Sequence, residues 1–171
     1  VKAFDTQIQA ENRLKAAIQA SGGAVDANFA KYAAFASELQ SISTIGDEAT
    51  LAILATAESM GVSGDAAIRA AKNAVSLEKA LGISASSAIR MTAALEQGDA
   101  TMLTRYIPAL RGVTDEGEKV RIAQESLANM FGQVTAEAQS GLGPLTQIKN
   151  SFGDFMEVIG GIVLEGLQPM F

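Results

Sequence analysis

The chain has 171 residues, of which 48% are hydrophobic and only 5% aromatic, and its formal net charge is −6. This length suits one or two compact units. Because the sequence contains neither Cys nor His, disulfides, thiolate metal sites and histidine-based acid–base catalysis are excluded. It has no cluster of Lys and Arg, so direct nucleic-acid binding is not expected.

The sequence predicts an all-α fold, because Ala-rich runs with helical apolar spacing alternate with Gly and Ser breaks. We expect a multi-helix bundle of short Ala-rich helices, followed by a C-terminal amphipathic helical hairpin. In chain order the predicted helices span residues 3–20, 25–42, 47–60, 65–81, 85–97, 99–107, 116–139 and 144–166. We divide the chain into a helical unit, 1–112, and a heptad-patterned pair, 113–171, which alternatively form one continuous domain.

Helix ends are predicted from glycines and from short polar side chains. The expected C-terminal stops are Gly22, Gly61, Gly82 and Gly98. The expected N-caps are Thr44, Ser63, Ser84 and Thr114. The segments 61–68 and 82–89 also align with each other, which marks either a repeated helix-and-turn unit or two similarly capped helices.

Two segments have the pattern of core helices. Residues 49–57, Ala-Thr-Leu-Ala-Ile-Leu-Ala-Thr-Ala, have no polar face, so we predict that Leu51, Ile53 and Leu54 are buried together. Residues 25–42 place an apolar stripe at spacings of three and four. Its members are Val25, Phe29, Tyr32, Ala36 and Leu39.

The last third of the chain carries two heptad seams separated by Gly141–Pro144. Because Pro is tolerated in the first turn of a helix but not inside one, we predict an antiparallel hairpin, with one kinked rod as the alternative. In the hairpin, one helix contributes Leu127, Met130 and Val134. The facing helix contributes the helix-pairing seam Ile148, Phe152, Phe155 and Ile159.

No catalytic, cofactor-binding or metal-binding set is predicted. The candidate acids lie in helical runs without a companion motif, and we interpret them as solvated carboxylates on helix surfaces. They are Glu48, Glu58, Glu78 and Glu96. The serines lack a His partner and the Gly pairs lack the Lys of a phosphate loop. We therefore expect neither an enzyme nor a cofactor.

The most specific pattern lies between residues 82 and 112. It combines a helix start, Gly82-Ile-Ser, with a turn, Ala93-Ala-Leu-Glu-Gln-Gly-Asp99. The run Met102-Leu-Thr-Arg-Tyr-Ile-Pro-Ala-Leu-Arg-Gly112 follows. Read with its flanks, from about residue 42 to residue 167, this pattern resembles the tail tape measure proteins of long-tailed bacteriophages and prophages.

The resemblance implies a structural role in a largely helical protein that fills the tail tube, sets its length during assembly and leaves before DNA enters the host. It implies tail tube proteins, tail-tip proteins, tail assembly chaperones and further copies of the parent as partners. The implied locations are the lumen of the virion tail and, during assembly, the host cytoplasm.

The start at Val1 and the end in an apolar stretch lead us to expect a piece of a longer polypeptide. The alternative function is a generic helical interaction module, or a membrane-active one that uses the C-terminal apolar segment. That segment contains Glu157 and Glu165, which would be costly at mid-membrane depth, so we expect a buried or an interfacial helix.

Arg105, Tyr106 and Arg111 lie within the tape-measure-like run and have two interpretations. They form a partner-binding edge, or they are structural. In the structural alternative, which we favour, Tyr106 and Ile107 pack where Pro108 ends a helix, and the Arg side chains bond to nearby carbonyls or carboxylates.

Overall fold

The computed structural model describes residues 2–140, with side chains from residue 5 onward, and over this range the chain is entirely helical. The elements are six α-helices and two short 3₁₀-helices: α1 (Lys2–Ala20), α2 (Val25–Ile42), α3 (Asp47–Ser59), α4 (Gly64–Leu81), α5 (Ala85–Glu96), η1 (Thr101–Arg105), η2 (Pro108–Leu110) and α6 (Glu116–Ala138). The all-α bundle is therefore confirmed for these residues. The predicted helix 144–166 and its seam lie outside the described residues, so the hairpin stays a prediction.

The predicted glycine stops are confirmed, since all four glycines adopt a positive φ within two residues of the end of a helix. At Gly61, for example, φ is 78°, and the reversed chain lets the Val62 N–H donate to the Ala57 carbonyl at 3.0 Å. A side chain would strain this backbone conformation, which is why glycine ends the helix here.

Two of the four predicted N-caps are wrong. Helix α3 is capped by Gly46 rather than Thr44, because Ile45 is drawn into the core and the preceding residues form a turn instead. Helix α6 is capped by Asp115 rather than Thr114, and the Asp115 carboxylate accepts from the Glu118 N–H at 2.7 Å. A carboxylate also interacts favourably with the positive end of the helix.

The predicted helix 99–107 is also wrong, because within this range the chain forms the short 3₁₀-helix η1, and η2 follows from Pro108. The Asp99 carboxylate accepts from the Thr101 N–H at 2.8 Å, and hydrogen bonds then join residues three apart, such as Tyr106 to Leu103 at 2.9 Å. This tighter winding places Leu103 and Ile107 in the core, with 0% and 2% exposure. Burial of these side chains outweighs the poorer hydrogen-bond geometry.

Helix α3 is the centre of the bundle and contacts α1, α2, α4 and α5. The predicted burial of Leu51, Ile53 and Leu54 is confirmed, because their exposed fractions are 1%, 5% and 0%. Small side chains then allow close packing of α4 on α5, where the Thr92 hydroxyl donates directly to the Ala70 carbonyl at 2.8 Å. Such a contact requires that the two backbones approach closely.

Helix α6 packs on α4, and its residues Ala123 and Leu127 belong to the same hydrophobic core as α1–α5. The described part of the unit 113–171 therefore shares its core with the unit 1–112. This arrangement fits the alternative of one continuous domain as far as residue 140.

We predict that Leu54→Ala lowers the free energy of unfolding by about 2–5 kcal/mol, because it leaves a cavity at the centre of the bundle. The matched control is Leu81→Ala, since Leu81 is 42% exposed and its replacement should change stability by no more than about 0.5 kcal/mol. Chemical denaturation followed by circular dichroism measures both. Equal midpoints for the two variants would contradict the central position of α3.

Candidate functional site

The candidate site is a groove of about 440 Å³ between α5 and η1. Gly98 turns the chain after α5 with a φ of 91°, and residues of α5 and η1 then line the same groove. The groove is lined by Ser87, Arg90, Met91, Thr101, Met102, Arg105 and Tyr106, and we call this surface the α5–η1 groove.

The floor of the α5–η1 groove is apolar and its rim is basic. Met91 is largely buried, whereas Met102 is 46% exposed and is the most exposed large apolar side chain of the described residues. Arg105 lies with its guanidinium carbon 5.8 Å from the centre of the Tyr106 ring, a cation–π arrangement. No acidic side chain lines the groove.

Of the predicted edge, Arg105 and Tyr106 line the groove, whereas Arg111 is exposed after η2 and does not. The structural interpretation is confirmed for Tyr106 and Ile107 but not for the two Arg side chains. Ile107 is buried and Tyr106 packs against the core. However, neither Arg105 nor Arg111 bonds to a carbonyl or a carboxylate of the described residues, so the partners expected for these side chains are absent there.

Arg90, Met91 and Met102 also line this surface, although no sequence pattern marked them as site residues. Met102 lies in the tape-measure-like run. Arg90 and Met91 lie on α5, 15 and 14 residues before Arg105. The sequence predicted a continuous helix 99–107, which would have directed the side chains of Met102 and Arg105 differently. It therefore did not indicate that α5 and η1 line one groove. The signal that the sequence offered for this surface was Met102, a large apolar residue within the tape-measure-like run.

A second polar site is buried in the core, around Glu58. The exposed fraction of Glu58 is 2%, and its carboxylate accepts from the Ser21 hydroxyl at 2.7 Å and from the Tyr32 hydroxyl. The Tyr32 oxygen in turn accepts from the Gly64 N–H at 2.6 Å. Burial and the neighbouring carboxylate raise the pKa of Tyr32, which keeps its proton available to Glu58.

The interpretation of the four candidate acids as solvated carboxylates is therefore wrong for Glu58, and it is also wrong for Glu96. The Glu96 side chain is only 4% exposed and receives two hydrogen bonds from Arg69, at 2.7 and 3.0 Å. The partners of both acids lie on other helices, which local sequence does not reveal. Each contact links helices, so we assign both to structure and not to catalysis.

A third acidic feature lies where α1 meets the start of α3. The Asp47 carboxylate accepts from the Gln7 amide at 3.3 Å and from the Glu48 backbone N–H at 2.8 Å. Burial, followed by the interaction with the Glu48 side chain, raises the pKa of Asp47 to about 6. Asp47 therefore keeps its proton to a higher pH than an ordinary aspartate does.

No family model, curated protein or solved structure matches this chain. Among residues 2–140, no helix is both long and apolar enough to cross a membrane. The Asp and Glu side chains described for this range do not gather into a group of three that would hold a metal ion.

We predict that Tyr32→Phe lowers the free energy of unfolding by about 2–4 kcal/mol, because it leaves a buried carboxylate oxygen and a backbone N–H without their partner. The matched control is Tyr106→Phe, which removes the hydroxyl of a half-buried ring at the groove and should be nearly neutral. Thermal denaturation of both variants provides the comparison. A neutral Tyr32→Phe would show that Glu58 does not depend on this bond.

We predict that the raised pKa of Asp47 lowers the free energy of unfolding as the pH rises from about 4 to 7. A raised pKa means that the folded state keeps the proton between about pH 4 and 6 while the unfolded state has released it, so stability falls with pH in this window. Because Asp47 is only half-buried, the effect should be of order 1 kcal/mol. Asp47→Asn should flatten this part of the pH profile, and an unchanged slope would contradict the assignment.

Proposed function

We propose that this chain is a helical segment of a tail tape measure protein of a long-tailed bacteriophage or prophage, with a structural and not an enzymatic role. The observation that carries the proposal is the pattern of residues 82–112. The structure gives this pattern a physical meaning, since Leu103, Ile107 and Leu110 of the run are almost completely buried. The run therefore encodes a specific packed fold, and a resemblance that covers it is informative.

The proposal assigns the chain to the lumen of the virion tail, and to the host cytoplasm during assembly. Its partners there would be tail tube and tail-tip proteins, tail assembly chaperones and other copies of the parent. An exposed basic groove beside a packed core supports a role in contacts between proteins.

A compact bundle is poorly suited to measure length itself. A straight helix advances by about 1.5 Å per residue, whereas α1–α5 fold back on one another around α3. We therefore propose that this segment is a compact element of the tape and that other helices of the parent set the length of the tail.

The test is the length of assembled tails in electron micrographs. Heptads inserted into α6 beyond Leu127 should leave tail length unchanged, whereas heptads deleted from other helices of the parent should shorten tails by roughly 10 Å each. If the insertions into α6 lengthen the tail by that amount, the segment lies extended and the compact proposal is wrong. If no insertion or deletion in the parent alters the length, the tape assignment itself is wrong.

The second candidate is a helical interaction module outside any phage tail, and the unpaired Arg side chains at the α5–η1 groove favour it. Its membrane-active form would bind liposomes through the C-terminal apolar segment. A liposome sedimentation assay with the full chain separates that form from the others, since the tape element and the soluble interaction module should both remain in the supernatant.

A further inference from the structure

Two arginine side chains at the α5–η1 groove have no carboxylate partner among the described residues. Arg69 and Arg121 each lie 2.7 Å from a carboxylate oxygen. The other four arginines, Arg13, Arg90, Arg105 and Arg111, have none within ion-pair distance there, and two of these, Arg90 and Arg105, line the groove. A guanidinium has five donors in a planar fork that matches a carboxylate. The guanidinium groups of Arg90 and Arg105 are therefore available to pair with the carboxylates of a partner.

The apolar side chains of the groove also favour contact with another protein. Met102 is 46% exposed beside the half-buried ring of Tyr106. Met adapts its shape to a partner, and Met, Tyr and Arg are enriched at protein interfaces while Lys and Glu are depleted. The lining of the groove contains two Arg, two Met and one Tyr, but no Lys, Asp or Glu.

The dimensions of the groove indicate what fits. Its walls are about one turn of α5, residues 87–91, and the short helix η1. No strand is present among residues 2–140 to pair with an extended peptide, so recognition through added strands has no template there. A helix can instead lay an apolar face on Met91, Met102 and Tyr106, and place carboxylates at Arg90 and Arg105.

We infer that the α5–η1 groove is a docking site for an acidic amphipathic helix of a partner protein. Charge complementarity selects the partner, because the rim offers unpaired guanidinium groups and the segment 61–112 carries a net charge of +2 within a chain of −6. The inference does not rest on the tape measure proposal, since it uses only the groove.

The test is fluorescence anisotropy with the full 171-residue chain and labelled synthetic helical peptides. The probe carries Leu on one face and Glu on the other. One control peptide has Lys in place of Glu, and a second has Ser in place of Leu. The Leu/Glu peptide should bind with an affinity that falls with added salt, and both controls should bind at least about tenfold more weakly.

Matched variants locate the binding surface. Arg105→Glu should weaken binding of the Leu/Glu peptide by about tenfold, whereas Arg13→Glu should leave it within about twofold, since Arg13 is exposed on α1 and lines a different groove. Because both side chains are exposed, both variants should keep the wild-type circular dichroism spectrum and thermal midpoint.

Four results would each overturn the inference. The first is equal binding of the Leu/Glu and Leu/Lys peptides, and the second is equal affinity of the Arg105→Glu and Arg13→Glu variants. The third is displacement of the peptide by a short oligothymidine with the same dependence on Arg105, which would identify a general anion site. The fourth is no binding of any peptide, the result expected if residues 144–166 of the same chain already cover the groove.

Discussion

The buried carboxylate of Glu58 is the interaction on which the arrangement of the first four helices depends. It accepts from Ser21, directly after α1, and from Tyr32 on α2, while the Tyr32 oxygen accepts from the N–H of Gly64 at the start of α4. A carboxylate at the end of α3 thus links four helices. A buried polar group is costly unless its partners are in place, so this network disfavours any arrangement that moves one of these helices away.

Small side chains set the rest of the packing. Ala67, Ala70, Ala71 and Ala74 of α4 are all fully buried, and each removes little apolar surface from water. Their value is that they let helix backbones approach, as the bond from Thr92 to the Ala70 carbonyl shows. The core therefore needs several helices around α3, and α6 adds Ala123 and Leu127 to it.

The tape-measure-like run illustrates how one stretch serves both the core and the surface. Leu103 and Ile107 face the core, whereas Met102 and Arg105 face the solvent on the neighbouring positions of the 3₁₀-helix. Burial of the first pair fixes the orientation of the second. The α5–η1 groove consequently lies beside a segment that Leu103 and Ile107 anchor to the core.

The helices and most of their ends are predictable from the amino-acid sequence, because helical periodicity, Ala content and glycine stops are local properties. The burial of α3 is predictable in the same way, since a helix without a polar side must be enclosed. The burial of Glu58 and Glu96 is not, because their partners lie 26 to 37 and 27 residues away in the chain. The 3₁₀-helix Thr101–Arg105 also depends on tertiary packing, because burial of Leu103 and Ile107 outweighs local helix propensity. Arg90 and Arg105 line one groove because tertiary packing brings α5 and η1 to the same surface. A pattern within either segment could not predict this.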